Sequence, residues 1–128
     1  MKETILVVDD SPEVLGMMTE LLHGAEYEVL AAATFEEGRR LAREANPDVI
    51  VVDVRLGPYN GIELAIIEHL DHPSRPLIVM SGHADPALQA EATKQSAVFL
   101  EKPIEEGHLL GLIESMLAQR RAARTDRN

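Results

Sequence analysis

The sequence predicts an α/β domain built on a five-stranded parallel sheet. Apolar runs alternate with amphipathic helical segments five times, in units of roughly 20 to 28 residues, and this alternation indicates right-handed βαβ units. The run at 49–52, Val-Ile-Val-Val, is continuous and β-branched, which is typical of a strand buried on both faces. The chain has 128 residues, so we predict one domain.

Composition excludes several classes of function. There are no cysteines, so disulfides, thiolate metal sites and cysteine nucleophiles are absent. The formal net charge of −10 argues against nucleic-acid binding and favours a divalent cation or a basic partner. The first residues resemble neither a signal peptide nor a membrane span, so we expect a cytoplasmic protein that does not bind membranes.

The first two strand–helix units have clear boundaries. A strand at 4–8 runs into Asp9, and Ser11-Pro12-Glu13 has the residues of a helix start. The strand predicted at 27–32 is weaker and resembles an edge strand. Thr34 and Glu37 form a capping-box pattern for the second helix, and Pro47 follows its end.

The remaining units complete the prediction. The third strand ends at Asp53, the fourth spans 77–80 and the fifth spans 97–100. Helices follow Gly61, Asp85 and Lys102, and the fourth helix has few apolar residues. We predict a folded domain over 1–119. The arginine-rich segment 120–128 is expected to be a frayed polar tail or the start of a linker.

Polar residues stand at the carboxyl ends of four predicted strands: Asp9 and Asp10, Asp53, Ser81, and Lys102. Carboxyl ends of parallel strands share one edge, and in the flavodoxin-like order 2-1-3-4-5 the first and third strands are neighbours at the switch point where ligands bind. Three carboxylates repel one another unless a hard cation such as Mg²⁺ joins them. Asp53 is then a candidate phosphoryl acceptor, with Lys102 and Ser81 able to contact phosphoryl oxygens. No glycine-rich phosphate loop is present.

Each of these residues also has a structural interpretation. Asp9 and Asp10 can be solvated acids or helix caps, and Lys102 can be a surface lysine. Ser81 can cap the fourth helix, although Asp85 is available for that role. The spacing of Phe99 suits a core residue.

Four motifs together resemble the receiver domains of bacterial two-component response regulators. They are Val7-Val8-Asp9-Asp10, Val51-Val52-Asp53 with Gly61 eight residues on, Val79-Met80-Ser81-Gly82, and Phe99-Leu100-Glu101-Lys102-Pro103. The resemblance covers Ile5 to about Ala118.

The resemblance implies a function for each motif. Asp53 takes a phosphoryl group from a histidine kinase or histidine phosphotransfer protein. Mg²⁺ is held by Asp10, Asp53 and the Arg55 backbone carbonyl, with Asp9 assisting through water. Ser81 and Lys102 hold phosphoryl oxygens, Phe99 is an aromatic switch, and Lys102-Pro103 is a cis peptide.

The resemblance also implies how the signal is read and ended. The chain catalyses only its own phosphorylation and dephosphorylation, and Arg55 and His83 set the phosphoryl lifetime. The face formed by the fourth helix, fifth strand and fifth helix binds a downstream output protein, or an output domain outside this chain, and can form a phosphorylation-dependent dimer.

Two departures and two alternatives accompany the resemblance. Gly57 stands where the family usually has proline, with Pro58 next, and Ser96 stands where glycine is common. A Mg²⁺-dependent phosphatase of the haloacid-dehalogenase kind also uses an Asp nucleophile after a buried strand, but it needs a second Asp where this chain has Arg55. A receiver fold used only as a binding scaffold is the other alternative.

Overall fold

The chain forms one main sheet with helices on both faces. The computed structural model describes residues 2–82 and 85–126. In chain order its elements are β1 (Thr4–Val8), α1 (Pro12–Gly24), β2 (Glu28–Ala32), α2 (Phe35–Ala45), β3 (Val49–Asp53), β4 (Arg55–Leu56), β5 (Tyr59–Asn60), α3 (Gly61–Asp71), β6 (Leu77–Ser81), α4 (Pro86–Lys94), β7 (Val98–Glu101) and α5 (Glu106–Asp126).

The main sheet is entirely parallel, in the order β2-β1-β3-β6-β7. Counting only these five strands, the order is the predicted 2-1-3-4-5, and β2 is at the edge as expected. The antiparallel pair β4-β5 forms a separate hairpin that the sequence does not predict. All five residues of β3 are buried, because this strand lies in the middle of the sheet.

The core has one layer on each face of the sheet. Successive strand residues point to opposite faces, so Leu6 and Val8 pack with α2, α3 and α4, whereas Ile5 and Val7 pack with α1 and α5. The fold is therefore a three-layer α/β/α sandwich, and all strand carboxyl ends lie at one edge.

Polar caps begin the helices where the sequence predicts them. Ser11 Oγ accepts a hydrogen bond from the Val14 amide at 3.3 Å, and Thr34 Oγ1 accepts one from the Glu37 amide at 3.1 Å. Asp85 Oδ1 accepts one from Ala87 at 2.8 Å. Asp85 is therefore the cap of α4, and the Ser81 side chain is not needed for that role.

Two backbone positions have special requirements. A Cβ on Gly61 would lie 1.9 Å from the carbonyl oxygen of Asp53, so only glycine lets α3 begin this close to the end of β3. Ser96 has φ +56°, the left-handed conformation anticipated for this position, at a cost of about 1 kcal/mol relative to glycine. The Lys102-Pro103 peptide is cis, as the resemblance implies.

The expectation of a frayed segment from Arg120 is wrong for the described part of that segment. α5 continues to Asp126. Arg120 Nη1 donates to the Asp48 carbonyl at 3.0 Å, and Arg121 pairs with Glu3. These contacts hold the helix against the amino-terminal edge of the sheet. Arg127 and Asn128 lie outside the described residues, and the domain boundary at 119 stays a prediction.

Candidate functional site: an acidic cluster at the carboxyl edge of the sheet

Three carboxylates and one lysine meet where the sequence analysis expects them. Asp9 and Asp10 follow β1, Asp53 ends β3, and Lys102 follows β7. Oxygen atoms of the three acids lie within 4.8 Å of one another. Asp9 is fully buried, Asp53 is 6% exposed, and Asp10 is exposed.

Lys102 links two of the acids. Its Nζ lies 2.9 Å from Asp9 Oδ2 and 3.3 Å from Asp53 Oδ1. Its backbone N–H donates to the Ser81 carbonyl at 2.7 Å, which fixes the lysine beside the end of β6. Burial works against the lysine's charge, but its hydrogen bond to Asp9 and the charges of Asp53 and Asp9 outweigh burial and raise its pKa. Lys102 therefore stays protonated at neutral pH.

Each acid also has a defined orientation. Asp9 Oδ1 accepts a hydrogen bond from the Ser11 amide at 2.9 Å, and Asp10 Oδ2 accepts one from the Gly57 amide at 3.0 Å. Burial raises the pKa of Asp53, the charges of Asp9 and Asp10 raise it further, and Lys102 lowers it in part. One lysine faces three carboxylates, so the cluster carries an uncompensated charge of about −2 when all three are ionised.

This donor set fits a hard divalent cation. Mg²⁺ is held by one or two carboxylates, and its charge would balance the remaining −2. The described part of the chain supplies oxygen ligands here, and the buried Asp9 and Asp53 are costly to ionise without a counter-charge.

Ser81 and Arg55 lie at or next to the strand ends that carry the cluster, whereas Phe99 lines a separate groove. Ser81 ends β6 and is 4% exposed. Arg55 begins β4, with an exposed side chain, two residues beyond Asp53. Phe99 in β7 is half-buried and lines a groove of about 360 Å³ with residues of α4 and α5, including Gln89 and His108. His83 lies outside the described residues.

The sequence analysis missed the residues that hold the loop after Asp53. Tyr59 stacks on Phe35 with ring centroids 5.1 Å apart, and the neighbouring Glu36 raises the pKa of its hydroxyl. Gly57 bonds to Asp10 across 47 positions of sequence. The Gly57-Pro58 dipeptide signals a turn, but it does not signal which residue the turn contacts.

Comparison with known proteins identifies the family. A family model for the response regulator receiver domain matches residues 5–114. The chain belongs to the response regulator receiver domain family. No helix within the described ranges is both long and apolar enough to cross a membrane.

Curated relatives of this receiver domain differ in length. It is 33% identical over 120 residues to the phosphoglycerate transport system transcriptional regulatory protein PgtA of Salmonella typhimurium, covering 93% of this chain and 29% of PgtA. It is 30% identical over 117 residues to protein PilH of Pseudomonas aeruginosa, covering 89% of this chain and 97% of PilH. The receiver domain therefore spans under a third of some curated relatives and nearly all of another.

Solved structures share the same fold. A CheY-like response regulator receiver domain protein from Methanospirillum hungatei superposes with a TM-score of 0.92 at 26% identity, covering 96% of this chain and 99% of that one. The beryllofluoride-activated NtrC4 receiver domain dimer superposes with a TM-score of 0.85 at 27% identity, covering 91% and 98%. These neighbours agree with the flavodoxin-like topology.

Proposed function

We propose that the chain is a phosphorylation-controlled signalling module in which Asp53 accepts a phosphoryl group. The observation that carries the proposal is Lys102 Nζ, which lies within 3.3 Å of both Asp9 and Asp53 beside a third carboxylate. This arrangement supplies a nucleophilic carboxylate, ligands for a cation and a cationic partner for phosphoryl oxygens.

The transfer step is a displacement at phosphorus. A carboxylate oxygen of Asp53 forms a bond to phosphorus as the bond from phosphorus to a nitrogen of the donor's phosphohistidine breaks, and that nitrogen leaves with the bonding electron pair. Asp9, Asp10, Asp53 and the Arg55 backbone carbonyl would hold Mg²⁺, whose charge would help to neutralise the phosphoryl oxygens. Lys102 and the Ser81 hydroxyl contact phosphoryl oxygens, and Arg55 and His83 control access of the water that ends the signal.

The readout belongs to the face formed by α4, β7 and α5. In α4 only Ala92 is buried, so this helix is bound weakly enough to shift with the state of Asp53. Ser81 and Phe99 connect the Asp53 site with the α4–β7–α5 face. Ser81 ends the strand beside β7, and Phe99 lines the groove next to α4. The partners are a histidine kinase or histidine phosphotransfer protein, an output protein or domain, and a second copy of this face.

The test is phosphorylation by a small donor. We expect acetyl phosphate with Mg²⁺ to add the mass of one phosphoryl group to the wild-type chain. Asp53→Asn should not gain it, whereas Asp71→Asn, which removes an exposed acid in α3, should gain it fully. Chelation by EDTA should prevent the gain.

Two outcomes would contradict the proposal. A folded wild-type chain that gains no mass would indicate a binding scaffold. Release of phosphate from many phosphate esters would indicate a phosphatase, in conflict with the exposed Arg55 where such an enzyme needs an acid.

A further inference from the structure

The connection between β3 and α3 is a small hairpin. Arg55 pairs with Asn60 and Leu56 pairs with Tyr59. The Gly61 amide donates to the Val54 carbonyl at 2.6 Å and closes the base of the hairpin. The hairpin leaves the sheet directly after Asp53, so its tip lies over the acidic cluster.

The core and α2 hold this hairpin in place. Leu56 is 2% exposed and belongs to the core layer under α2 and α3. Tyr59, at the other end of the tip, stacks on Phe35 of α2 at an interplanar angle of 24°. The tip between Leu56 and Tyr59 is therefore fixed from both sides.

Gly57 at this tip donates its N–H to Asp10 Oδ2 at 3.0 Å. Its φ of +60° is a conformation that glycine adopts without strain. Among residues 2–82 and 85–126, the Gly57 amide is the group that donates a hydrogen bond to the Asp10 carboxylate. Asp9 and Asp53, by contrast, are both contacted by Lys102.

We propose that Gly57 is a positioning residue for cation binding, acting through Asp10. A carboxylate has two oxygens, so an N–H bound to Oδ2 fixes the group and leaves Oδ1 for a metal ion. Partners of this kind orient metal ligands, and their loss typically costs 10–100-fold in metal affinity. The exposed Asp10 otherwise loses side-chain freedom when it binds the cation. This inference rests on the magnesium site of the proposed function.

Three variants of the chain separate the N–H from the shape of the hairpin. Gly57→Ala keeps the N–H, and no heavy atom lies within 4 Å of the added Cβ, but the φ of +60° strains alanine, so this variant reports the effect of backbone strain alone. Gly57→Pro removes the N–H and also disfavours the positive φ. Replacing the amide nitrogen of Gly57 with an ester oxygen removes the N–H and leaves the conformational freedom of glycine at this position.

The measurement is the dissociation constant for Mg²⁺, obtained by calorimetric titration without a phosphodonor. We expect it to rise about tenfold or more in the proline and ester variants and to rise clearly less in Gly57→Ala, which keeps the N–H and adds only the strain of alanine at positive φ. In labelled wild-type protein, NMR should detect a scalar coupling between the Gly57 nitrogen and the Asp10 carboxyl carbon, and it should persist when Mg²⁺ saturates the site.

Failure of the inference and failure of the proposed function give different results. If the wild-type chain binds Mg²⁺ and gains a phosphoryl group but the ester variant binds Mg²⁺ equally well, the role of Gly57 is overturned. If the proline variant binds Mg²⁺ weakly but the ester variant binds it as tightly as the wild type, the role of the Gly57 N–H is also overturned. The shape of the hairpin would then be the cause of the weak binding. Loss of the scalar coupling between Gly57 and Asp10 when Mg²⁺ saturates the site would also overturn the proposed role of Gly57. A wild-type chain that does not bind Mg²⁺ overturns both proposals.

Discussion

Asp53 carries its negative charge at a cost to the folded protein. Its carboxyl group is nearly buried, and burial together with the charges of Asp9 and Asp10 raises its pKa more than Lys102 lowers it. A carboxylate that is costly to ionise gains from any reaction or ligand that removes or balances its charge. Cation binding does this, and the proposed phosphoryl transfer, which leaves about −2 on the phosphoryl oxygens, depends on that cation and on Lys102 to balance the added charge.

We predict that Asp53→Asn stabilises the cation-free protein at pH 7, on the order of 1 kcal/mol, the size of an ordinary substitution effect. Because the folded-state pKa is raised, the folded protein binds more protons than the unfolded chain between the two pKa values. The stability of the wild type therefore falls as pH rises through that interval, and the advantage of the variant disappears below the unfolded pKa of about 3.9. Urea unfolding in EDTA across pH 3 to 8 measures this difference in stability between the variant and the wild type.

The matched control for this prediction is Glu20→Gln, which removes an exposed acid of α1. That variant should show no comparable change between pH 4 and 7. Added Mg²⁺ should stabilise the wild type more than Asp53→Asn, because a ligand stabilises the form that binds it. A less stable Asp53→Asn protein at pH 7 would contradict the electrostatic account.

Residue-level prediction from sequence succeeded where position along a strand was sufficient. Asp9, Asp10, Asp53 and Lys102 meet because parallel strands end at the same edge, a rule that needs no coordinates. Their chemical roles still await the experiments above. The hydrogen bond from Gly57 to Asp10 could not be predicted, because it depends on the dihedral angles of a hairpin tip 47 residues from its acceptor.

At the scale of single elements, α3 contributes one residue to a buried ion pair. Glu68 lies on the buried face of this helix and pairs with Arg75 at 3.0 Å, and both residues are at most 3% exposed. Arg75 also donates to Asn46, which ends α2 in a left-handed conformation. Burial raises the pKa of Glu68 and lowers that of Arg75, so the pair joins α2, α3 and the start of β6 at a desolvation cost.

We predict that removing one partner of this pair is far worse than removing both. Glu68→Leu leaves a buried guanidinium without its counter-charge and should cost about 3–5 kcal/mol. The double variant Glu68→Leu with Arg75→Met replaces the pair with apolar groups and should lie close to wild type. Denaturant unfolding of the wild type, Glu68→Leu, Arg75→Met and the double variant gives the coupling energy.

Strictly additive effects in this cycle would show that the two charges do not depend on each other. In the sequence, Ile62, Ala65, Ile66 and His69 mark the third helix, and nothing in the pattern indicates that Glu68 is buried. Glu68 follows Ala65 by three residues, at helical spacing, but a charged residue at such a position is assigned to solvent unless its partner is known. That partner is seven residues away, across a turn.

The weak fourth helix is the element-level feature that sequence did predict. Its few apolar residues left only Leu88 and alanines for burial, and the structure buries Ala92, with Leu88 packed against the core. Low apolar content can be read directly from composition. A shift of α4 on phosphorylation is a proposal about two states of the protein and does not follow from composition.

Across the whole molecule, the two edges of the sheet have different electrostatic organisation. The carboxyl edge concentrates acids around Lys102. At the amino edge, Asp48 accepts a hydrogen bond from the Thr4 amide at 2.8 Å and pairs with Arg120 at 3.5 Å. This single acid joins the start of β1 to the end of α5.

We predict that Arg120→Ala lowers the free energy of unfolding by about 1 kcal/mol, through loss of its hydrogen bond to the Asp48 carbonyl and its packing. Arg124→Ala is the matched control, because Arg124 is an exposed arginine one turn later. Its positive charge repels that of Arg120. This variant should be neutral or slightly stabilising. Equal losses in both variants would indicate a general effect on helix α5 instead of this contact.

At this scale the sequence predicts the topology, but it does not predict the contacts of the last helix. Strand order follows from the alternation of strands and helices and from the handedness of their connections, which are general rules. The role of Arg120 depends on a contact with Asp48, 72 positions earlier, and a polar arginine-rich segment looks the same in sequence whether or not such contacts form. The structure adds the contacts of Arg120 and Arg121 to the expected tail, and the domain boundary at 119 stays a prediction.

The contact between Lys102 and Asp9 has a consequence for the order of events during synthesis. It joins residues 93 positions apart, so a growing chain holds its acids long before it can offer them their lysine. Closing so long a loop is slow compared with forming local helices. The cluster therefore becomes complete only when β7 has been synthesised and has docked beside β6. The pairing of these acids with their lysine is thus one of the last contacts that the growing chain is able to form.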